Sequence, residues 1–180
     1  ELGRSHRSRC GKRTRALMAA KFEVIDFPAT TLIGLEADFY GGMSPKFNGP
    51  EILGPVWQQV FEKLEGIGIA YQGRMIAATR PASSGEEGLL TQFVGQEVAV
   101  LPDDLNGLQI LELPAMRLAT YEHHGSMNGL VASIEKLYGE VLPASGLEQP
   151  KPWSLELEIY GVDYDPRNPD AVMLIGTPVI

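Results

Sequence analysis

The run Trp153-Ser154-Leu155-Glu156-Leu157-Glu158-Ile159-Tyr160 alternates apolar and polar side chains without a break. In a β-strand successive side chains point to opposite faces. Ser154, Glu156, Glu158 and Tyr160 therefore share one face, and Trp153, Leu155, Leu157 and Ile159 the other. The apolar set is expected to meet the helices that cover the sheet. The polar set then presents two carboxylates and a phenol to whatever lies over the opposite face. Two chemistries suit it. A carboxylate among aromatic rings supplies counter-charge to a lipophilic cation, and each good cation–π contact adds about 0.5–2 kcal/mol. A desolvated carboxylate, its pKa raised by burial, can instead act as a general acid or base. An exposed strand with solvated glutamates is the plainer alternative, and the strand by itself does not separate the three.

Other rings that could wall such a site are Trp57, Tyr71 and Phe93, beside Trp153 and Tyr160 of the strand itself. Trp57 and Trp153 lie on apolar faces, where core packing competes with ligand contact. His123 and His124 are neighbours at a strand end, so their side chains diverge and cannot chelate one metal together. Asp163, Asp165 and Asp170 flank Pro166 and Pro169 but lack the glycine of a calcium loop. No nucleophile elbow, phosphate-cradling loop or dinucleotide fingerprint occurs. The single cysteine, Cys10, excludes an internal disulfide framework. No cofactor and no metal is called for.

Charge is unevenly distributed. Residues 1–17 carry Arg4, Arg7, Arg9, Lys12, Arg13 and Arg15 against Glu1, a net +5, which leaves −13 for the rest of a chain whose total is −8. So acidic a body lacks the concentrated basic face of a nucleic-acid binder. It suits a cationic small molecule, although solubility alone explains many acidic surfaces. Residues 1–17 show no hydrophobic periodicity and precede Met18, the first methionine. They read as sequence upstream of the domain rather than as a basic arm or a targeting peptide, lacking the apolar core of a secretory signal. No apolar run reaches the ~20 residues of a membrane span, so a cytoplasmic protein is expected.

The elements that must hold these residues repeat within the chain. Phe22-Glu-Val-Ile-Asp-Phe-Pro28-Ala29 and Leu108-Gln-Ile-Leu-Glu-Leu-Pro114-Ala115 share one pattern at an offset of 86. The match continues through Thr31–Glu36 and Arg117–Glu122, which reads as strand interrupted at a proline that sits at an edge or bend. Each copy then enters a helix. Pro55 reads as the N1 proline of the first, with Val56, Trp57, Val60, Phe61 and Leu64 on its buried face. Leu130, Val131, Ile134, Leu137 and Tyr138 mark the second. Both helices contain Glu-Lys-Leu, at an offset of 73, so the first copy holds 13 extra residues, placed in the Gly- and Pro-rich loop 40–50. That loop is expected near the mouth of the groove. Strands at about 69–79 and 89–100 close the first copy, and 153–160 and 171–179 the second.

The expected fold is α+β. It has two β-α-β-β units, about 22–104 and 105–180, in one domain over 18–180. They are related by a pseudo-twofold axis, with helices packed on one side of the sheets and a ligand groove between the halves.

Across 22–179 the order of Phe27-Pro28-Ala29, Gly95-Gln-Glu97-Val98, Leu113-Pro114-Ala115, Ala119-Thr-Tyr121, His124-Gly125, Leu130 to Tyr138, Glu158-Ile-Tyr160 and Ile175-Gly-Thr-Pro178-Val179 resembles the gyrase-inhibitor-like, AraC-type effector-binding domain family. That family supplies the ligand-binding module of multidrug-sensing transcription activators and also occurs as free-standing proteins, including integron-cassette-encoded ones. The resemblance implies a stand-alone module for amphipathic, cationic aromatic compounds, with Glu158 and Tyr160 in the pocket. Glu156, Trp57, Tyr71, Phe93 and Trp153 are the further candidates beside them. No helix-turn-helix reader is visible, so a transcriptional role requires a DNA-binding partner or a lost fusion. Some relatives resemble hydrolases of strained, electrophilic rings, in which case Glu158 is the general acid or base. A topoisomerase inhibitor acting through protein contact is a third reading.

Overall fold

The structure is a computed structural model and describes residues 20–180. The arginine-rich stretch 1–17 and Cys10 lie outside the described residues. Eight strands form one antiparallel sheet: β1 (Phe22–Phe27), β2 (Thr30–Tyr40), β3 (Met75–Pro81), β4 (Leu89–Glu97), β5 (Gln109–Leu113), β6 (Met116–His124), β7 (Glu156–Tyr160) and β8 (Val172–Pro178). Their order across the sheet is β1-β6-β8-β7-β3-β4-β2-β5. Helix α1 (Gly49–Gly66) links β2 to β3. A longer helical passage links β6 to β7: α2 (Leu130–Lys136), a π-helical turn (Leu137–Val141) and α3 (Leu142–Ser145).

The two Pro-Ala pairs do more than bend a strand. Pro28-Ala29 separates β1 from β2, and these take different neighbours: β1 pairs only with β6, whereas β2 lies between β4 and β5. A proline cannot donate to a ladder, and Thr30 Oγ1 donates back to the Pro28 carbonyl at 2.9 Å, which holds the turn. Pro114-Ala115 divides β5 from β6 in the same way. Each half is therefore strand-strand-helix-strand-strand, one strand richer than the expected β-α-β-β. The halves also exchange edges, since β1 completes the side of the sheet built by β6 and β8, and β5 the side built by β2 and β4. Exchanging β1–β4 with β5–β8 turns the strand order into its own reverse. A duplicated unit would give this pattern, and the duplication itself stays an expectation from the sequence.

Helix α1 begins six residues earlier than expected, with Pro50 in its first turn and Pro55 inside it. Val60 and Leu64 of α1, and Leu130, Leu137 and Leu142 of the second helical passage, share one cluster with Ile33, Ala77, Val94, Ala119 and Ile175, so the helices cover one face of the sheet. The opposite face carries a second cluster, to which no helix contributes: Phe27, Leu32, Ile76, Phe93, Leu118, Leu157 and Ile159. Gly34 of β2 stands directly across from Gly95 of β4, and a Cβ on Gly34 would lie 1.9 Å from the Val94 carbonyl oxygen. The bare backbones let these strands close over that second cluster. Among the described residues no helix is long and apolar enough to cross a membrane.

Candidate functional site

Strand β7 settles which of its faces meets the helices, and it is the polar one. Leu157 and Ile159 belong to the helix-free cluster with Leu155 packed against it. Tyr160 joins the helix-side cluster, and Glu156 and Glu158 share its face by alternation. The expectation that the apolar set meets the helices is thus reversed. Both faces of β7 are buried, and apolarity marks burial rather than the side on which helices lie.

Over Tyr160 lies a cavity of about 700 Å³. One wall is α1, where Trp57 and Phe61, one turn apart, stack at 6.0 Å between ring centres. Tyr160 meets Trp57 edge-on at 5.2 Å, Tyr71 stacks on Phe61 at 5.3 Å, and Tyr164 meets Tyr160 at 5.0 Å. Five rings therefore run in continuous contact around the cavity. Met75, Met127, Val162 and Pro166 add apolar lining, and Asp165 and Arg167 stand among the lining residues, joined in an exposed ion pair of 2.9 Å.

Behind this wall the polar stripe of β7 runs under the helices. The Tyr160 hydroxyl donates to Glu158 Oε2, and Gln92 Nε2 donates to Glu158 Oε1 at 3.3 Å and to Thr79 Oγ1 at 2.9 Å. Glu156 and Glu158 are each only 7% exposed, and neither takes part in a salt bridge among the described residues. Burial raises the Glu158 carboxyl, and the hydrogen bonds from Tyr160 and Gln92 offset only part of the rise. Burial first, and the Glu158 charge second, push Glu156 up to about 7, against a smaller pull from Tyr138. Burial and the Glu158 charge hold the Tyr160 phenol well above its ordinary range.

These shifts fix a pH response. A carboxyl with a raised pKa keeps its proton in the folded state at a pH where the unfolded chain has lost it. Each such group therefore removes stability as pH climbs from about 4.5 towards its folded pKa. The melting temperature of the ligand-free protein is expected to rise on acidification from pH 8 to about 5.5. Below that, Glu97 works the other way, because its bond to Arg74 holds it low and its contribution is lost on protonation. Glu156→Gln should flatten the profile between pH 5.5 and pH 8. An unchanged profile would mean that Glu156 ionises as an ordinary surface carboxylate.

Of the residues singled out from sequence, Trp57, Tyr71 and Tyr160 line the cavity. Glu158 stands behind Tyr160, and Glu156 lies further along the strand, beside Tyr138. Phe93 belongs to the cluster on the opposite face and is 2% exposed. Trp153 precedes β7 and lies beside Tyr138, away from the cavity. The loop at 41–48 does not line the cavity either. Gly42 rests against Val131, and Tyr40, Lys46 and Glu86 tie the loop to the β3–β4 turn. The loop that lines the cavity follows β7 instead, through Gly161, Val162 and Tyr164 to Arg167. Phe61 and Tyr164 were not anticipated as wall residues. Phe61 gave a signal, lying one turn from Trp57, but Tyr164 sits in a loop whose path no periodicity reveals.

A family model for the GyrI-like small molecule binding domain matches residues 20–179. No curated protein is significantly similar in sequence. Among solved structures, SAV2435 bound to tetraphenylphosphonium is 14% identical, with a TM-score of 0.67 over 89% of this chain and 94% of that one. The C-terminal domain of EcmrR is 14% identical, with a TM-score of 0.59 over 91% and 99%. An integron cassette protein from the mobile metagenome of Vibrio cholerae is 12% identical, with a TM-score of 0.58 over 88% and 95%. At these identities the likeness is one of fold.

Proposed function

This chain belongs to the GyrI-like small molecule binding domain family, and from that premise we propose that its ring-walled cavity binds amphipathic aromatic cations, with Glu158 as the counter-charge. One observation carries the reading. Glu158 is a buried carboxylate without a basic partner among the described residues, and it is hydrogen-bonded to a phenol that lines an aromatic cavity. Such an acid costs stability when the site is empty. A lipophilic cation recovers that cost, because it neutralises the charge and stacks on the rings. The tetraphenylphosphonium in the SAV2435 structure, a bulky aromatic cation, supports the same ligand class here. A regulatory outcome would require a DNA-binding element, supplied by a partner protein or by a fused domain.

Thermal shift with tetraphenylphosphonium and with neutral triphenylphosphine oxide tests the reading. A ligand that binds only the native state raises stability by about 2.7 kcal/mol at a hundred times its Kd. The cation is expected to raise the melting temperature markedly and the neutral compound little. Equal shifts, or none, would overturn the proposal. Catalytic disappearance of a strained-ring electrophile would reassign Glu158 from counter-charge to general acid or base.

A further inference from the structure

Among the described residues two that are not glycine take a left-handed backbone, Asn106 at φ 49° and Tyr71 at φ 63°. Asparagine tolerates that region through its short polar side chain, whereas a tyrosine there crowds its Cβ against the following carbonyl. The local turn shows how Tyr71 is held. Gln72 N donates to the Ile69 carbonyl at 3.3 Å, so Tyr71 is the third residue of a four-residue turn. A positive φ at that position marks a type II turn, which ordinarily takes glycine or asparagine there. The turn is pinned from several sides. The Ile69 carbonyl also accepts from the buried Gln96 amide at 2.7 Å, Gln72 Nε2 donates to the Gly68 carbonyl at 2.9 Å, and Ile69 packs on the helix-side cluster.

What the strained backbone fixes is the place of a ring. Trp57, Phe61 and Tyr71 follow one another nearly parallel, at interplanar angles of 28° and 21°. Tyr160 and Tyr164 are turned instead, at 86° to Trp57 and 65° to each other. Tyr71 ends the parallel series. It stacks on Phe61 alone among the described rings, lines the cavity, and is still 60% exposed. Neither strain nor exposure of an aromatic ring stabilises the free chain, and strain held in this way is found at ligand clamps. An uncovered face at the end of parallel rings is extended by one more flat ring, because offset stacking is among the arrangements that aromatic pairs favour.

We infer that the cavity selects flat aromatic cations, and that Tyr71 sets this selection by stacking the ligand as the next ring of the Trp57–Phe61–Tyr71 series, at the expense of backbone strain. This rests on the reading of the cavity as a site for aromatic cations.

The probes are N-methylquinolinium, which is flat and cationic, the saturated cation N,N-dimethyldecahydroquinolinium, and N-methyl-2-quinolone, which is flat and neutral. Each is titrated calorimetrically into the full chain. The flat cation is expected to bind about tenfold tighter than the saturated one. Tyr71→Ala and Tyr71→Gly should each reduce that advantage to about twofold or less, and Tyr71→Phe should keep it. Both ring-less variants lose the stack on Phe61, so the difference between them reports the backbone alone. Tyr71→Gly should melt about 3 °C above Tyr71→Ala.

Equal affinities of the two cations in the unmodified protein, or a flat-ring advantage that survives Tyr71→Ala, overturn the inference. Either leaves the counter-charge reading standing, provided that the flat cation still binds more tightly than the quinolone. A Tyr71→Gly variant no more stable than Tyr71→Ala overturns the claim that strain holds the ring in place. Equal binding of N-methylquinolinium and the neutral quinolone removes the counter-charge reading and the selection of cations with it.

Discussion

Glu158→Gln is expected to abolish the preference for cationic over neutral ligands while leaving neutral aromatics almost unchanged. Glutamine keeps the volume and can still accept from the Tyr160 hydroxyl, so the substitution removes charge and little else. Truncating a buried, hydrogen-bonded charge contact costs about 2–5 kcal/mol, whereas a solvated surface contact is worth under about 1 kcal/mol. Titration of a cation and its neutral match into both proteins gives the difference directly. The ligand-free variant should be at least as stable as the parent, because an unpaired buried carboxylate has been removed. For a singly charged ligand, Glu156→Gln should do much less. A larger effect from Glu156 would place the primary counter-charge one station further along β7.

Gly34→Ala should damage the fold more than a one-carbon change ordinarily does. The added Cβ would lie 1.9 Å from the Val94 carbonyl oxygen and 2.6 Å from the Gly95 Cα, and both are backbone atoms. No side-chain rotation relieves such a contact, so β2 and β4 must part at this point of the ladder. A cost of roughly 3 kcal/mol or more is expected, read as a lowered midpoint in urea with an unchanged slope. Gly139→Ala is the control, since nothing stands within 4 Å of its added carbon. It should shift stability by no more than about 1 kcal/mol. A small effect at Gly34 would mean that the ladder can relax there, and that the glycine pair does not shape the sheet.

Much of the architecture was legible because strand alternation and helix periodicity are local. β4, β7, β8, the end of α1 and the start of the second helical passage fall close to where the pattern puts them, and Glu158 and Tyr160 could be placed on one face from spacing alone. Two features were not legible. Alternation says which residues of β7 share a face but not which face lies under the helices, and here both faces are buried. The role of Pro28 was hidden for a related reason. A proline marks an interruption, but whether the chain bends or departs depends on which distant strand offers a partner. For β1 that strand is β6. The aromatic wall shows the same limit: Trp57 and Phe61 are neighbours by helix geometry, while Tyr160 and Tyr164 join them only through the tertiary fold.

The edge exchange also imposes an order on synthesis. The partners of β1 lie 89 to 99 residues further along, from Phe27 with Met116 to Phe22 with Tyr121. At about 5–20 residues per second a ribosome needs several seconds to deliver them. Until then the nascent chain can assemble β2, α1, β3 and β4, which pair among themselves. β1 meanwhile trails with its backbone groups open to other nascent chains. Its polar Glu23 and Asp26 blunt that hazard. β1 thus leaves the tunnel before its partner and is among the last of the described strands to find its place.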